Sequence, residues 1–163
     1  MKKLCIITGV SGYLGSALSN AFLDVGYNVF GIDIVEPTNL NNIEYYHADL
    51  NLIVDNQRER EYLFGAINTW KAESDINVLI NNAAFQFVST QHPVEIDKFK
   101  QSLNVNLIAP YILTTYLSDD LEKTKGSVIN ISSIHARLTK PGFSLYAASK
   151  AALSMLTKSL AID

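Results

Sequence analysis

Only one cysteine, Cys5, stands among the 163 residues, so no internal disulfide can form. That fits a reducing, cytoplasmic setting. Cys5 lies within a short apolar run and reads as a buried, inert thiol. Long apolar stretches are missing too. None approaches the roughly 18 residues of a transmembrane helix, so no membrane partner is expected. The opening Met1-Lys2-Lys3-Leu4-Cys5-Ile6-Ile7 breaks at Thr8-Gly9, too soon for the apolar core of a signal peptide. There is no basic run and the net charge is −3, which points away from nucleic acid. The three histidines, His47, His92 and His135, share no spacing with a cysteine or acid cluster, so no metal site is expected. Repeats, low-complexity segments and linkers are absent, and residues 1–163 read as one domain.

What is present is ordinary for a globular protein, with 48% hydrophobic and 18% charged residues. Short apolar runs alternate with helical periodicity. Leu4–Thr8 reads as a buried strand. After a glycine-rich turn, Leu14, Ala17, Leu18, Ala21, Phe22 and Val25 recur at helical spacing, and Gly26 caps the helix. Tyr27–Ile32 and Ile43–His47 give two more strands. A helix over Asp55–Ala72, with Trp70 as a core anchor, precedes a fourth strand at Ile76–Ile80. Phe85–His92 lacks periodicity and reads as a mobile loop. A long helix is expected from Pro93 to about Leu121, kinked or broken at Pro110. Val128–Ile131 gives the fifth strand and Leu145–Ile162 the last helix. Strand and helix in alternation predict an α/β fold: a doubly wound parallel sheet in the order 3-2-1-4-5.

Gly9, Gly12 and Gly15 follow the first strand and open the first helix. Such a loop makes a tight turn, presents backbone amides to a pyrophosphate and lets helix and strand pack closely. Asp33 ends the second strand, 18 residues past Gly15. A carboxylate there accepts both ribose hydroxyls of an adenosine and repels a 2′-phosphate. Val10-Ser11 supplies no cation to receive such a phosphate, so NAD is expected over NADP.

Tyr146 and Lys150 stand four apart on the last helix and share a face. An ammonium beside a phenol favours the phenolate, bringing the tyrosine toward the range of a general acid/base. Ser133 follows the fifth strand, at the carboxyl end of the sheet where open α/β folds bind ligands. His135 reads as a hydrogen-bonding loop residue.

Thr8-Gly9-x-x-Gly12-x-x-Gly15, Asp33, Asp49-Leu50, Asn81-Asn82-Ala83-Ala84, Asn106, Ser133 and Tyr146-x-x-x-Lys150 together resemble the short-chain dehydrogenase/reductase superfamily. The 13-residue step from Ser133 to Tyr146 matches its spacing, and the resemblance covers the whole chain. It implies an NAD-dependent oxidoreductase acting on a small-molecule secondary alcohol or ketone. Tyr146 would be the proton donor and acceptor, and Lys150 would lower its pKa and hold the nicotinamide ribose. Ser133 would orient the substrate oxygen, and Asn106 would hold a water of the proton relay. The cofactor would meet Gly9, Ser11, Gly12, Tyr13, Leu14 and Gly15, then Asp33 and Ile34. Asp49 and Leu50 would meet the adenine, and Asn82, Ala83 and Ala84 would stabilise the sheet and pass the adenosine ribose.

Two features depart from that pattern. The glycine spacing is more usual in the extended, sugar-nucleotide-modifying branch, and Ala84 replaces a glycine. The Asn82 turn and the Ser–Tyr spacing side with the single-domain dehydrogenases. A non-catalytic dinucleotide-binding protein stays open as a different class. The resemblance also implies a homodimer or homotetramer, paired through helices near 93–121 and 145–163 with Leu107, Tyr111, Leu153 and Leu156 in the contact. It further implies one or two more strands after Asp163, so the chain is expected to be a fragment that lacks the substrate-closing part.

Overall fold

Each central strand divides its side chains between two apolar layers, because successive residues point to opposite faces. The computed structural model describes residues 2–38, 40–89 and 96–162. In β1 (Lys3–Thr8), Leu4 and Ile6 join one buried cluster while Cys5 and Ile7 join the other. β2 (Tyr27–Asp33) splits likewise, with Phe30 and Ile32 against Val29, and so does β4 (Val78–Asn81), with Leu79 against Val78 and Ile80. With β3 (Ile43–His47) and β5 (Ser127–Asn130) they form one parallel sheet in the order β3-β2-β1-β4-β5, as the sequence predicts.

One face is covered by α1 (Tyr13–Asp24) through Leu18, Phe22 and Leu23. Its buried centre is Gly15 and Ser19, not the apolar positions that the spacing singles out. Leu14 and Val25 are exposed, because two small residues let the helix lie closer to the sheet than a leucine stripe would allow. The other face carries α3 (Gln57–Lys71) and α5 (Ala109–Tyr116) through Leu63, Ile67 and Leu113. Trp70 packs there with its ring 5.2 Å from that of Phe30. Burial pushes the Cys5 thiol up to about 12, so it stays protonated and unreactive at neutral pH.

The helices differ from expectation in two places. A short helix, α2 (Leu50–Asp55), follows β3 and is separate from α3. Asp49 caps it through Asn51 N–H at 2.8 Å, and Asn56 caps α3 through Arg58 and Glu59. The long helix over 93–121 is several pieces: α4 (Ile96–Leu103), a π-turn at Asn104–Ile108, α5, and α6 (Ser118–Thr124). Pro110 sits in the first turn of α5, and the break falls just before it. A proline has no N–H for the carbonyl four residues back, and the ladder shifts to the wider spacing seen from Ala109 N–H to Asn104 O. Pro93 and His92 lie outside the described residues. The last helix, α7, runs Ser144–Leu160.

The carboxyl ends of β1 and β4 are clamped by Thr8. Its hydroxyl accepts both Asn82 N–H and Ala83 N–H at 3.0 Å, and Thr8 is buried. Thr8→Val keeps the shape and leaves Ala83 N–H without a partner, while Asn82 N–H retains its bond to Ile80 O at 3.1 Å. Stability should fall by roughly 1–3 kcal/mol, whereas Thr8→Ser should stay close to wild type. Urea denaturation of the two variants checks this, and a larger loss in the Ser variant than in the Val variant would show that the methyl, not the hydroxyl, matters.

Candidate functional site

A cleft of about 590 Å³ opens at the carboxyl end of the sheet, between the β1–α1 turn, the end of β2 and the residues after β4. Gly9 turns the chain at φ +73, and a Cβ on it would lie 2.8 Å from Ala83 Cα. At Gly15 a Cβ would lie 1.9 Å from Gly9 O, so helix and turn meet in a way only glycine allows. Gly12 differs. A Cβ there would meet nothing nearer than Gly9 O at 3.5 Å, so the space it leaves is open to the cleft. Gly12 is also the N-cap of α1 and makes no side-chain cap, so the first amides of a 12-residue helix stay free for an anion. That cradle fits a pyrophosphate.

The Asp33 carboxylate ties the rim together. One oxygen accepts Ser11 N–H at 2.9 Å and the other Val35 N–H at 3.2 Å, while the Ser11 hydroxyl donates to Val35 O. Gly9, Ser11, Gly12, Leu14, Gly15, Asp33, Ile34, Asp49, Leu50, Asn82, Ala83 and Ala84 all line the cleft. Tyr13 does not, being 95% exposed on the outer surface of α1. Asp49 divides its role, since one oxygen caps α2. The cleft also holds Phe85, Gln101 and Val105, which sequence reasoning missed. Gln101 and Val105 are spaced four apart on one helical face, but nothing in the sequence aims that face at the cleft.

Ser133, Tyr146 and Lys150 lie outside that cleft wall and form a second group beside it. Lys150 Nζ donates to Ile131 O at 2.7 Å and sits 6.0 Å from the Tyr146 ring centroid. His135 lies 6.3 Å from the same ring, so Ser133 falls between two residues that both touch the Tyr146–Lys150 pair. The Ser133 oxygen accepts His135 N–H at 3.1 Å, which leaves its own proton to donate. His135 Nδ1 lies 3.0 Å from Leu138 O and donates to it, as expected of a hydrogen-bonding loop residue. Among the described residues no cluster of three or more metal-binding side chains occurs.

Asn106 is fully buried and commits its amide to the protein. Its oxygen accepts Phe85 N–H at 2.7 Å, and its nitrogen donates to Phe85 O and Ser149 Oγ, both at 2.9 Å. Ser149 Oγ in turn donates to Tyr146 O at 2.8 Å. Asn104 faces elsewhere, bonded to Asn51 and Asp55. The loop after β4 is pinned at both described ends, by Asn106 at Phe85 and by Ser89 N–H to Gly142 O at 2.9 Å.

Lys150 is 1% exposed and forms no ion pair, so burial lowers its pKa from 10.5 to about 8. The folded protein therefore loses this proton near pH 8, while the unfolded chain keeps it to 10.5. Between those values the unfolded state binds more protons, so stability rises with pH. Lys150→Met should be the more stable protein at pH 7, by up to about 3 kcal/mol. That advantage should shrink between pH 8 and 10. Urea titrations at pH 7, 8, 9 and 10 check it, and a constant difference would mean that the charge is not the cause.

No helix among the described residues is long and apolar enough to cross a membrane. Comparison with known proteins agrees with the fold. L-fucose dehydrogenase of Mus musculus is 29% identical over 99% of this chain, which spans 59% of that relative's length. A short chain dehydrogenase/reductase family oxidoreductase from Brucella ovis, in complex with a partially ordered NAD, superposes with a TM-score of 0.86. It is 25% identical, over 100% of this chain and 78% of its own. A 4-hydroxyisoleucine dehydrogenase complexed with NADH and succinate gives 0.83 at 30% identity, over 97% of this chain and 72% of its own. The profile of short chain dehydrogenases matches residues 3–163, and the chain belongs to that family.

Proposed function

We propose that the chain is the nucleotide-binding and catalytic part of an NAD-dependent enzyme that interconverts a secondary alcohol and its ketone. The observation that carries this reading is the buried Lys150 ammonium, held by one carbonyl and no carboxylate, one helical turn from Tyr146. A buried cation without a counterion costs stability. Here it has a use, because it favours the phenolate left when Tyr146 gives up its proton.

NAD, bound across the cleft, supplies the hydride acceptor. The turn Gly9–Gly15 would hold its pyrophosphate, the Tyr13 side chain standing outside the cleft, with Asp33 and Ile34 at its adenosine ribose and Asp49 and Leu50 at its adenine. Asn82, Ala83 and Ala84 border the path toward Tyr146 and Lys150. Tyr146 takes the hydroxyl proton during oxidation and returns it during reduction. Ser133 donates its free hydroxyl proton to the reacting oxygen. Asn106 has its amide hydrogens on Phe85 and Ser149, so a water of the proton relay would be held through a carbonyl oxygen of Asn106.

The NAD of the Brucella protein and the NADH of 4-hydroxyisoleucine dehydrogenase support the cofactor class. Preference over NADP rests on Asp33 and on a cleft lined by no lysine or arginine. Pairing of subunits is proposed through α5 and α7, as a two-fold dimer or a tetramer. Tyr111 and Met155 are exposed there, whereas Leu153 is buried inside the protomer and cannot serve as the contact predicted for it.

Tyr146→Phe should lower turnover by about 10²-fold or more while leaving NAD binding within a few-fold. NADP should bind at least about tenfold more weakly than NAD, and Asp33→Ser should narrow that gap. Fluorescence titration and steady-state kinetics check both. Equal affinity for the two cofactors, or a fully active Phe variant, would sink the assignment.

A further inference from the structure

We propose that the substrate is a secondary alcohol that carries a carboxylate, received by Arg137 and Lys140 at the mouth beside Tyr146. This rests on the oxidoreductase reading above. From Lys123 to Ile162 there is no acidic residue, although the chain holds 16 acids and is negative overall. The same stretch carries Lys123, Lys125, Arg137, Lys140, Lys150 and Lys158. Of these, Lys123 and Lys125 precede β5 and Lys158 ends α7, away from Tyr146, so Arg137, Lys140 and Lys150 are the cations on the segments next to it.

The local geometry gives these cations a setting. Phe143 meets Tyr146 edge-on with centroids 6.3 Å apart, and the His135 ring lies 4.5 Å from Phe143. These rings make an apolar wall next to the phenol. At the outer end of the wall, Lys140 Nζ lies 4.3 Å from the Phe143 centroid. Arg137 follows the 3₁₀ turn at Ile134–Ala136 and is exposed. Across the loop contact at Gly142, Lys98 Nζ stands 5.5 Å from the Phe85 centroid and 5.9 Å from that of Phe87. The ion pairs among the described residues use Lys71 and Lys123, so Arg137, Lys140 and Lys98 all remain unneutralised. A carbon skeleton against the rings, with its hydroxyl at Tyr146, would turn its carboxylate toward the Lys140 end of the wall, next to the turn that carries Arg137. The carboxylate is a spectator: no bond to it changes while the carbinol loses hydride to the nicotinamide and a proton to Tyr146.

The experiment is a set of matched pairs, 3-hydroxybutanoate against 2-butanol and 4-hydroxypentanoate against 2-pentanol, with NAD at low ionic strength. The acids should be favoured in kcat/KM by about tenfold or more. Salt should erode the preference. The exposed double substitution R137Q/K140Q should lower the acid-to-alcohol ratio roughly tenfold, mainly through KM for the acid. A ratio indifferent to the double substitution, or a preference for the neutral alcohols, overturns the proposal. A second measurement follows quenching of bound NADH by acetoacetate and by 2-butanone. If neither pair turns over, acetoacetate binding that weakens in R137Q/K140Q keeps the anion site and removes the oxidoreductase reading. Acetoacetate binding that does not weaken removes the anion site itself.

Discussion

The close approach of Gly15 to Gly9 sets the rest of the structure. With Gly9 O where a Cβ on Gly15 would stand, the first turn of α1 lies directly on the chain reversal that follows β1. The Asn82 side chain then bridges Thr8 O at 2.9 Å and Gly9 O at 3.0 Å, locking the β4 exit to the same point. Three elements converge within one hydrogen-bond length. The cleft is the space they cannot fill, because backbone rather than side chains occupies the meeting point. Its apolar floor and free amides follow from that packing.

Much of this was legible because it rests on local chemistry. Two-fold alternation carries the sheet order, and the glycine triplet and Asp33 carry the turn and rim of the cleft. Asp49, Leu50, Asn82, Ala83 and Ala84 line the same cleft but were marked only by the family resemblance. What the sequence hid depends on who meets whom. The burial of Leu153 and the exposure of Leu14 and Val25 are decided by neighbours far along the chain, which outweigh helical periodicity. The separate α2 helix was readable in principle from Asp49 and Asn56, two capping residues seven apart. Gln101 and Val105 carry no such mark. Val105 lies within the π-turn and Gln101 in the helical turn before it, and a π-turn has no residue signature of its own.

The two halves of the site are built on opposite electrostatic plans. The nucleotide side carries acids at Asp33 and Asp49 and satisfies them with backbone amides. The Tyr146 side carries cations and leaves them uncompensated, the deepest being Lys150. A dinucleotide spanning both would lie along a gradient from negative to positive, which favours one direction of binding over the other.

The contacts around Tyr146 close on themselves. Asn106 holds Phe85, Ser89 holds Gly142, Phe143 packs on Tyr146, and Ser149 returns from Tyr146 to Asn106. Such a circuit behaves like a picture frame whose joints are side-chain hydrogen bonds, one backbone bond and one ring contact. Its joints are shared, so a displacement at one of them is passed to the next, and Tyr146 is held both at its ring and at its carbonyl.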